Sequence, residues 1–364
     1  MMTHLPSRRI TWLLPILLAG CATQGALEPG PGPTDVRAEI VRRMLAHVPD
    51  RAGWAADIQT AFAAQRIEPN SENICAVLAV TEQESGYQAD PSVTGLPQIA
   101  RGEIDRRAAS KHIPKFLVDA ALNIKSPDGR SYAQRLRGAR TERELSEIYE
   151  DMIGSVPMGK RLFADMNPVQ TAGPMQVGIA FAEANAERYP YPIGDSLRDE
   201  AFTRRGGLYF GIAHLLGYRT PYTRKLHRFA DYNAGWYASR NAAFQNAVSL
   251  ASGIPLALDG DLLQPGARMD KPGKTELAVR ALGGELGLDD RAIRNALERG
   301  GRLDFDDTGL YAKVFALAEA RERKPLARAL IPGIKLKSPK ITRALTTAWF
   351  ATRVDERYRR CMRR

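Results

Sequence analysis

The chain has 364 residues, 44% of them hydrophobic, which supplies a sizeable core and excludes wholesale disorder. Fifty-two basic residues against 41 acidic ones leave a net charge of +11. No apolar run reaches the ~20 residues of a membrane helix, and five histidines without an HExxH pair argue against the usual zinc hydrolases.

Residues 1–20 read as an address. Arg8 and Arg9 form a charged start, Ile10 to Leu18 is a short apolar stretch, and Leu18-Ala19-Gly20-Cys21 follows at once. This order resembles the bacterial lipoprotein signal, in which the cysteine becomes the lipidated first residue. The resemblance implies lipid on Cys21. With Ala22 rather than Asp after the cysteine, it also implies an outer-membrane lipoprotein facing the periplasm. Removing two arginines and no acids leaves a mature charge of +9, suited to polyanionic neighbours such as the cell wall and unsuited to nucleic acid for an exported chain. Residues 21–35, rich in Pro and Gly towards their end, are expected to act as an extended tether.

Beyond the tether the pattern is helical, and the fold class is expected to be all-α. Ile40, Val41, Met44, Leu45 and Val48 recur at helical spacing up to Pro49. A helix is predicted from near Ser71 to the segment TEQESGY at 81–87. Glu84 lies seven residues beyond Val77 and returns to the same face, whereas Glu82 should point to solvent. A carboxylate on the apolar face and in the last helical turn is disfavoured as an anion by burial and by the helix dipole, as suits a general acid. A glutamate that merely snorkels outward at a frayed end fits the same pattern.

Residues 100–168 carry two or more helical patterns. AGPMQVG at 172–178 reads as a tight turn or short strand. FADYNAGWY at 229–237 puts Leu226, Phe229 and Asn233 on one inward face, with Gly235 as the stop. Asp231 is expected on the helix surface. A loop-rich stretch at about 251–274 suggests a boundary, followed by three or four helices and a basic tail. The expected organisation is therefore a domain at 36–252 and a C-terminal helical region at 253–364. Cys75 and Cys361 can form one disulfide, or Cys75 can be a small buried hydrophobe. Asp304, Asp306, Thr308 and Gly309 begin like a calcium loop but have Phe315 at the twelfth position, so they read as a helix-flanking loop.

In order, Glu84-Ser85, Gly173-Pro174-Met175-Gln176 and Tyr232-Asn233-Ala234-Gly235 resemble the motifs of the lysozyme-like lytic transglycosylases and goose-type lysozymes. RRGGLYFGIAHLLGY at 204–218 looks like the helix between the last two. The whole also resembles an uncharacterised group of Gram-negative lipoproteins. The resemblance covers roughly 70–250. It implies a peptidoglycan lytic transglycosylase with Glu84 as acid and base, cutting between N-acetylmuramic acid and N-acetylglucosamine with closure of a 1,6-anhydro ring. It further implies that Ser85 and Met175 shape subsites, Gln176 supports the wall, Tyr232 orients the glutamate and Asn233 holds an acetamido group. No metal or other cofactor is implied. The glycan strand is the expected partner, with the membrane reached through Cys21. Asp90 is the nearest residue for positioning a hydrolytic water. The 89 positions between Glu84 and Gly173 depart from the family's short loop, so 100–168 is an insertion expected to cap the cleft or bind a protein partner. A catalytically silent wall-binding scaffold and a hydrolysing lysozyme are the alternative readings.

Overall fold

The computed structural model describes residues 32–155, 158–336 and 343–364. Cys21, the signal and most of the tether lie outside these residues. The fold is mainly α, as expected, and its one sheet among the described residues has two short strands.

Helix α1 (Pro33–Arg43) starts inside the expected tether, because Pro33 suits a first helical position and Asp35 favours the first turn. It ends at Arg43, short of Pro49, and Met44 and Val48 are buried beyond it. Helix α2 (Arg51–Gln65) packs on α1, and α3 (Ser71–Ser85) follows. Asn70 caps α3 by accepting from the Asn73 amide at 2.9 Å. Residues Ile74 to Thr81 of α3 are buried on every side, so it is a central helix rather than an amphipathic one. Each fully buried aliphatic side chain there contributes about 1.5–3 kcal/mol. Gly86 ends it in a left-handed conformation.

Five helices then fill the expected insertion: α4 (Leu96–Ser110), α5 (Lys115–Asn123), α6 (Tyr132–Gly138), α7 (Glu142–Gly154) and α8 (Gly159–Phe163). Capping boxes at Ser131 and Thr141 fix the starts of α6 and α7. Leu96, Val118, Leu122, Tyr132, Leu136 and Leu145 join the main core, so the insertion folds onto the body through buried apolar contacts.

Strands β1 (Thr171–Ala172) and β2 (Val177–Gly178) pair antiparallel around residues 173–176, the turn that the sequence predicts. After α9 (Ile179–Ala184) and α10 (Leu197–Phe202), helix α11 (Arg204–Leu216) receives this turn on a glycine face. A Cβ on Gly207 would sit 2.5 Å from Pro174 Cδ, and one on Gly211 would sit 2.6 Å from Met175 Cβ. Only glycine lets the backbone approach so closely. Helix α12 (Lys225–Ala234) stops at Gly235, as read from the sequence, and α13 (Ala238–Ser252) follows.

The expected boundary at 252/253 does not divide the packing. A second core joins Phe244 and Val248 of α13 to Val279 of α14 (Lys274–Ala281), Leu286 of α15 (Gly283–Leu286), Ile293 of α16 (Asp290–Leu297) and Phe315 of α17 (Gly309–Glu322). Arg240 of α13 is wholly buried and donates to the Gly300 and Arg302 carbonyls and to Asp306. The acids at 304 and 306 thus serve arginines, consistent with a helix-flanking loop. The expected basic tail is a helix, α18 (Thr347–Met362), which returns to pack on α3 and α12. Cys361 near its end is bonded to Cys75 of α3, with Cα atoms 5.5 Å apart and 286 positions between them. Residues 33–364 form one compact unit.

Candidate active site

Three elements distant in sequence meet around Tyr232. Its hydroxyl, buried near the end of α12, donates to the Met175 carbonyl in the β1–β2 turn at 2.6 Å. Burial pushes the Tyr232 phenol well above its ordinary value, and the Glu84 carboxylate on α3 pushes it further the same way. Tyr232 therefore stays a hydrogen-bond donor at any physiological pH. Glu84 is half-buried in the last turn of α3.

The rest of the turn is held internally. Gln176 adopts a positive φ of 51°. Its side chain accepts from Thr171 Oγ1 at 3.0 Å and donates to the Gly173 carbonyl at 3.3 Å. Its amide is thus spent on the hairpin. Met175 is fully buried against Gly211. Ser85 is also buried, and its hydroxyl donates back to the Thr81 carbonyl at 3.1 Å. That bond turns Ser85 toward its own helix rather than toward an open subsite.

Three expectations are corrected. Asn233 is exposed instead of inward, because α12 ends one residue later. Its Oδ1 accepts from Thr347 Oγ1 at 2.9 Å. Glu82 does not point freely to solvent. It is 19% exposed and paired with Arg357, at 3.3 Å, and Arg360 of α18. Asp231 is fully buried instead of on the helix surface. It accepts from Tyr222 at 2.6 Å, from Tyr218 at 3.2 Å and from the backbone amides of Tyr237 and Ser239. It thereby fixes the α12–α13 corner. Burial holds its pKa above the ordinary carboxylate range despite these donors. Asp90 is half-buried beside Thr141, with its pKa raised chiefly by burial.

An aromatic wall beside Tyr232 escapes the sequence motifs. The His214 ring lies 4.9 Å from Tyr232 and 4.8 Å from Phe181, and Trp236 donates its indole N–H to the His214 carbonyl at 2.8 Å. Burial lowers His214 to about 4, so its ring is neutral at pH 7. The one available signal was the spacing of His214 within the apolar α11 stretch, which reads equally as core. Phe181 and Trp236 also line a cavity of about 270 Å³ with Gln65, Asn185 and Tyr209. A larger polar cleft, about 680 Å³, opens between α7 and α9–α10 and includes Arg143, Glu147, Glu183 and Arg198, but not Glu84.

Taken together, a half-buried carboxylate, a buried phenol donor and a glycine-backed turn converge near Tyr232, with the His214 ring beside that phenol; neither cavity includes Glu84. The sequence matches the family described as "Protein of unknown function (DUF1615)" over residues 47–364. It is 54% identical over 360 residues to the uncharacterized protein YaiW of Escherichia coli (strain K12), covering 98% of each chain. No solved structure matches it.

Proposed function

We propose that this chain, which belongs to the DUF1615 family, is a lipoprotein that cuts peptidoglycan glycan strands as a lytic transglycosylase. The observation that carries the reading is the meeting of Glu84, Met175 and Tyr232, drawn from three motifs that span nearly 150 positions.

In this reading protonated Glu84 gives its proton to the glycosidic oxygen as the C1–O4 bond breaks. The substrate's own N-acetyl group steadies the cation at C1. Glu84, now a carboxylate, takes the proton of the muramic C6 hydroxyl as its oxygen bonds to C1. The 1,6-anhydro ring closes, the proton is back on Glu84 and no water is consumed. One carboxyl group therefore serves where ordinary glycosidases use two. Tyr232 acts as a positioning residue between Glu84 and the turn. Asn233 is exposed, and its amide N–H groups can donate to an acetamido carbonyl while its Oδ1 keeps the bond from Thr347. Lipid on Cys21 would hold the enzyme at the outer membrane, facing the wall.

Glu84→Gln keeps size and hydrogen bonding but removes the transferable proton. It should lower release of soluble fragments from dye-labelled sacculi by ~10²–10⁴-fold with binding to sacculi retained. Equal release by wild type and variant would refute the assignment. Binding without release by either protein would make the chain a wall-binding scaffold.

A further inference from the structure

The tip of the insertion turns an apolar stripe outward. Helix α5 buries Val118 and Leu122 against its neighbours α4 and α6. On its other side Phe116 is 69% exposed, Leu117 48% and Ile124 54%, and Ile113 on the preceding turn is 43% exposed. Phe116, Leu117 and exposed Ala120 lie on the side of the helix turned away from Val118 and Leu122, and Ile113 and Ile124 flank its two ends. Scattered apolar residues on a surface are ordinary, but a contiguous stripe marks an interaction site.

Charge says which kind. Three of the twelve lysines in the sequence, Lys111, Lys115 and Lys125, frame this stripe. All three are exposed, and none forms an ion pair among the described residues. The acid on α5, Asp119, shares Arg101 with Asp105, so that trio carries one negative charge against the three positive charges of the lysines. Elsewhere the ion pairs of this chain are made mainly by arginine. Protein interfaces are depleted in lysine and enriched in arginine, tyrosine and tryptophan. A convex aliphatic and phenylalanine face rimmed by unpaired lysines instead suits a bilayer surface. There the side-chain stems lie along the acyl boundary and the ammonium groups reach anionic headgroups.

We propose that residues 111–125 dock onto an anionic lipid surface, with Phe116 and Leu117 entering the headgroup–acyl boundary and Lys111, Lys115 and Lys125 pairing with lipid phosphates. This contact is independent of any lipid on Cys21 and of the chemistry at Glu84. It would set the distance and tilt of the body relative to the membrane.

The test places an environment-sensitive fluorophore on Phe116→Cys in the full chain carrying Cys21→Ser, Cys75 and Cys361 being engaged in the disulfide. Leu277→Cys, exposed on α14, is the control position. Vesicles of phosphatidylethanolamine with phosphatidylglycerol should blue-shift and brighten the label at 116 but not at 277. Adding Lys111→Glu, Lys115→Glu and Lys125→Glu should weaken the response at 116 by about tenfold or more in lipid concentration. All four substituted side chains are exposed, so the fold is retained. No response at 116, an equal response at 277, or an equal response on neutral phosphatidylcholine vesicles would overturn the proposal. A response given only by another protein would do the same and make the stripe a protein-docking face.

Discussion

Tyr232 ties α12 to the β1–β2 turn through one hydroxyl, within electrostatic reach of Glu84, and removing that hydroxyl separates positioning from chemistry. Tyr232→Phe leaves the buried Met175 carbonyl without its donor, a loss of about 1–3 kcal/mol. It should lower kcat on glycan strands while KM changes little, and a change in KM alone would show that the phenol binds substrate instead. His214 gives the pH signature of the same region. Burial lowers its folded pKa to about 4 from an ordinary 6.5, so between these values the unfolded chain takes up the proton and the folded one does not. Stability from this residue is intact above pH 6.5 and is lost as the pH falls toward 4. His214→Gln should flatten the decline of Tm over that window, leaving the smaller part due to His227, which shifts the same way. An unchanged slope would mean that the ring is not desolvated.

At the scale of elements, the glycine face of α11 is what lets the β1–β2 turn reach Tyr232. Gly211→Ala brings a methyl to 2.6 Å from both Cβ and Sδ of buried Met175. Overpacking of this kind costs about 1–3 kcal/mol. It should lower both Tm and turnover, whereas Gly284→Ala, with open space around it, should lower neither. If Gly211→Ala leaves turnover intact, the turn does not position the site. Much of this level was legible in the sequence. The start of α3 near Ser71 and its end within 81–87, the Gly235 stop, the tight turn at 173–176 and the helical insertion all follow from spacing and turn chemistry, which are local. Glu82, Asn233 and Asp231 were misread for one physical reason. Helical periodicity orients a side chain relative to its own helix, whereas Arg357, Arg360 and Thr347 arrive from a helix more than a hundred positions away. The partners of Asp231 likewise come from the loop before α12 and from the start of α13.

Across the whole molecule, α18 ties the end of the chain to its centre. It packs on α3 and α12, the two helices that carry Glu84 and Tyr232, and the Cys75–Cys361 bond locks it there. Composition marked these last residues only as basic, because their apolar face is thin and their partners are remote. Closing so long a loop restricts the unfolded chain strongly. Cys361→Ser should therefore cost about 2–5 kcal/mol under oxidising conditions. The difference between variant and wild type should vanish once wild type is reduced. A difference that survives reduction would mean that packing by Cys361, not the bond, holds α18. The second core, built on α13, makes the region after 252 part of the same body, and α18 brings chain from beyond the expected boundary against α3 and α12.

In the proposed reaction one carboxyl group, Glu84, cuts glycan strands without water. Mass analysis of the fragments released from purified sacculi tests it most directly. Wild-type protein should yield muropeptides ending in 1,6-anhydro-N-acetylmuramic acid, lighter by one water than reducing ends, and Glu84→Gln should yield almost none. Fragments with reducing ends alone, or anhydro ends at equal rate from Glu84→Gln, would contradict it.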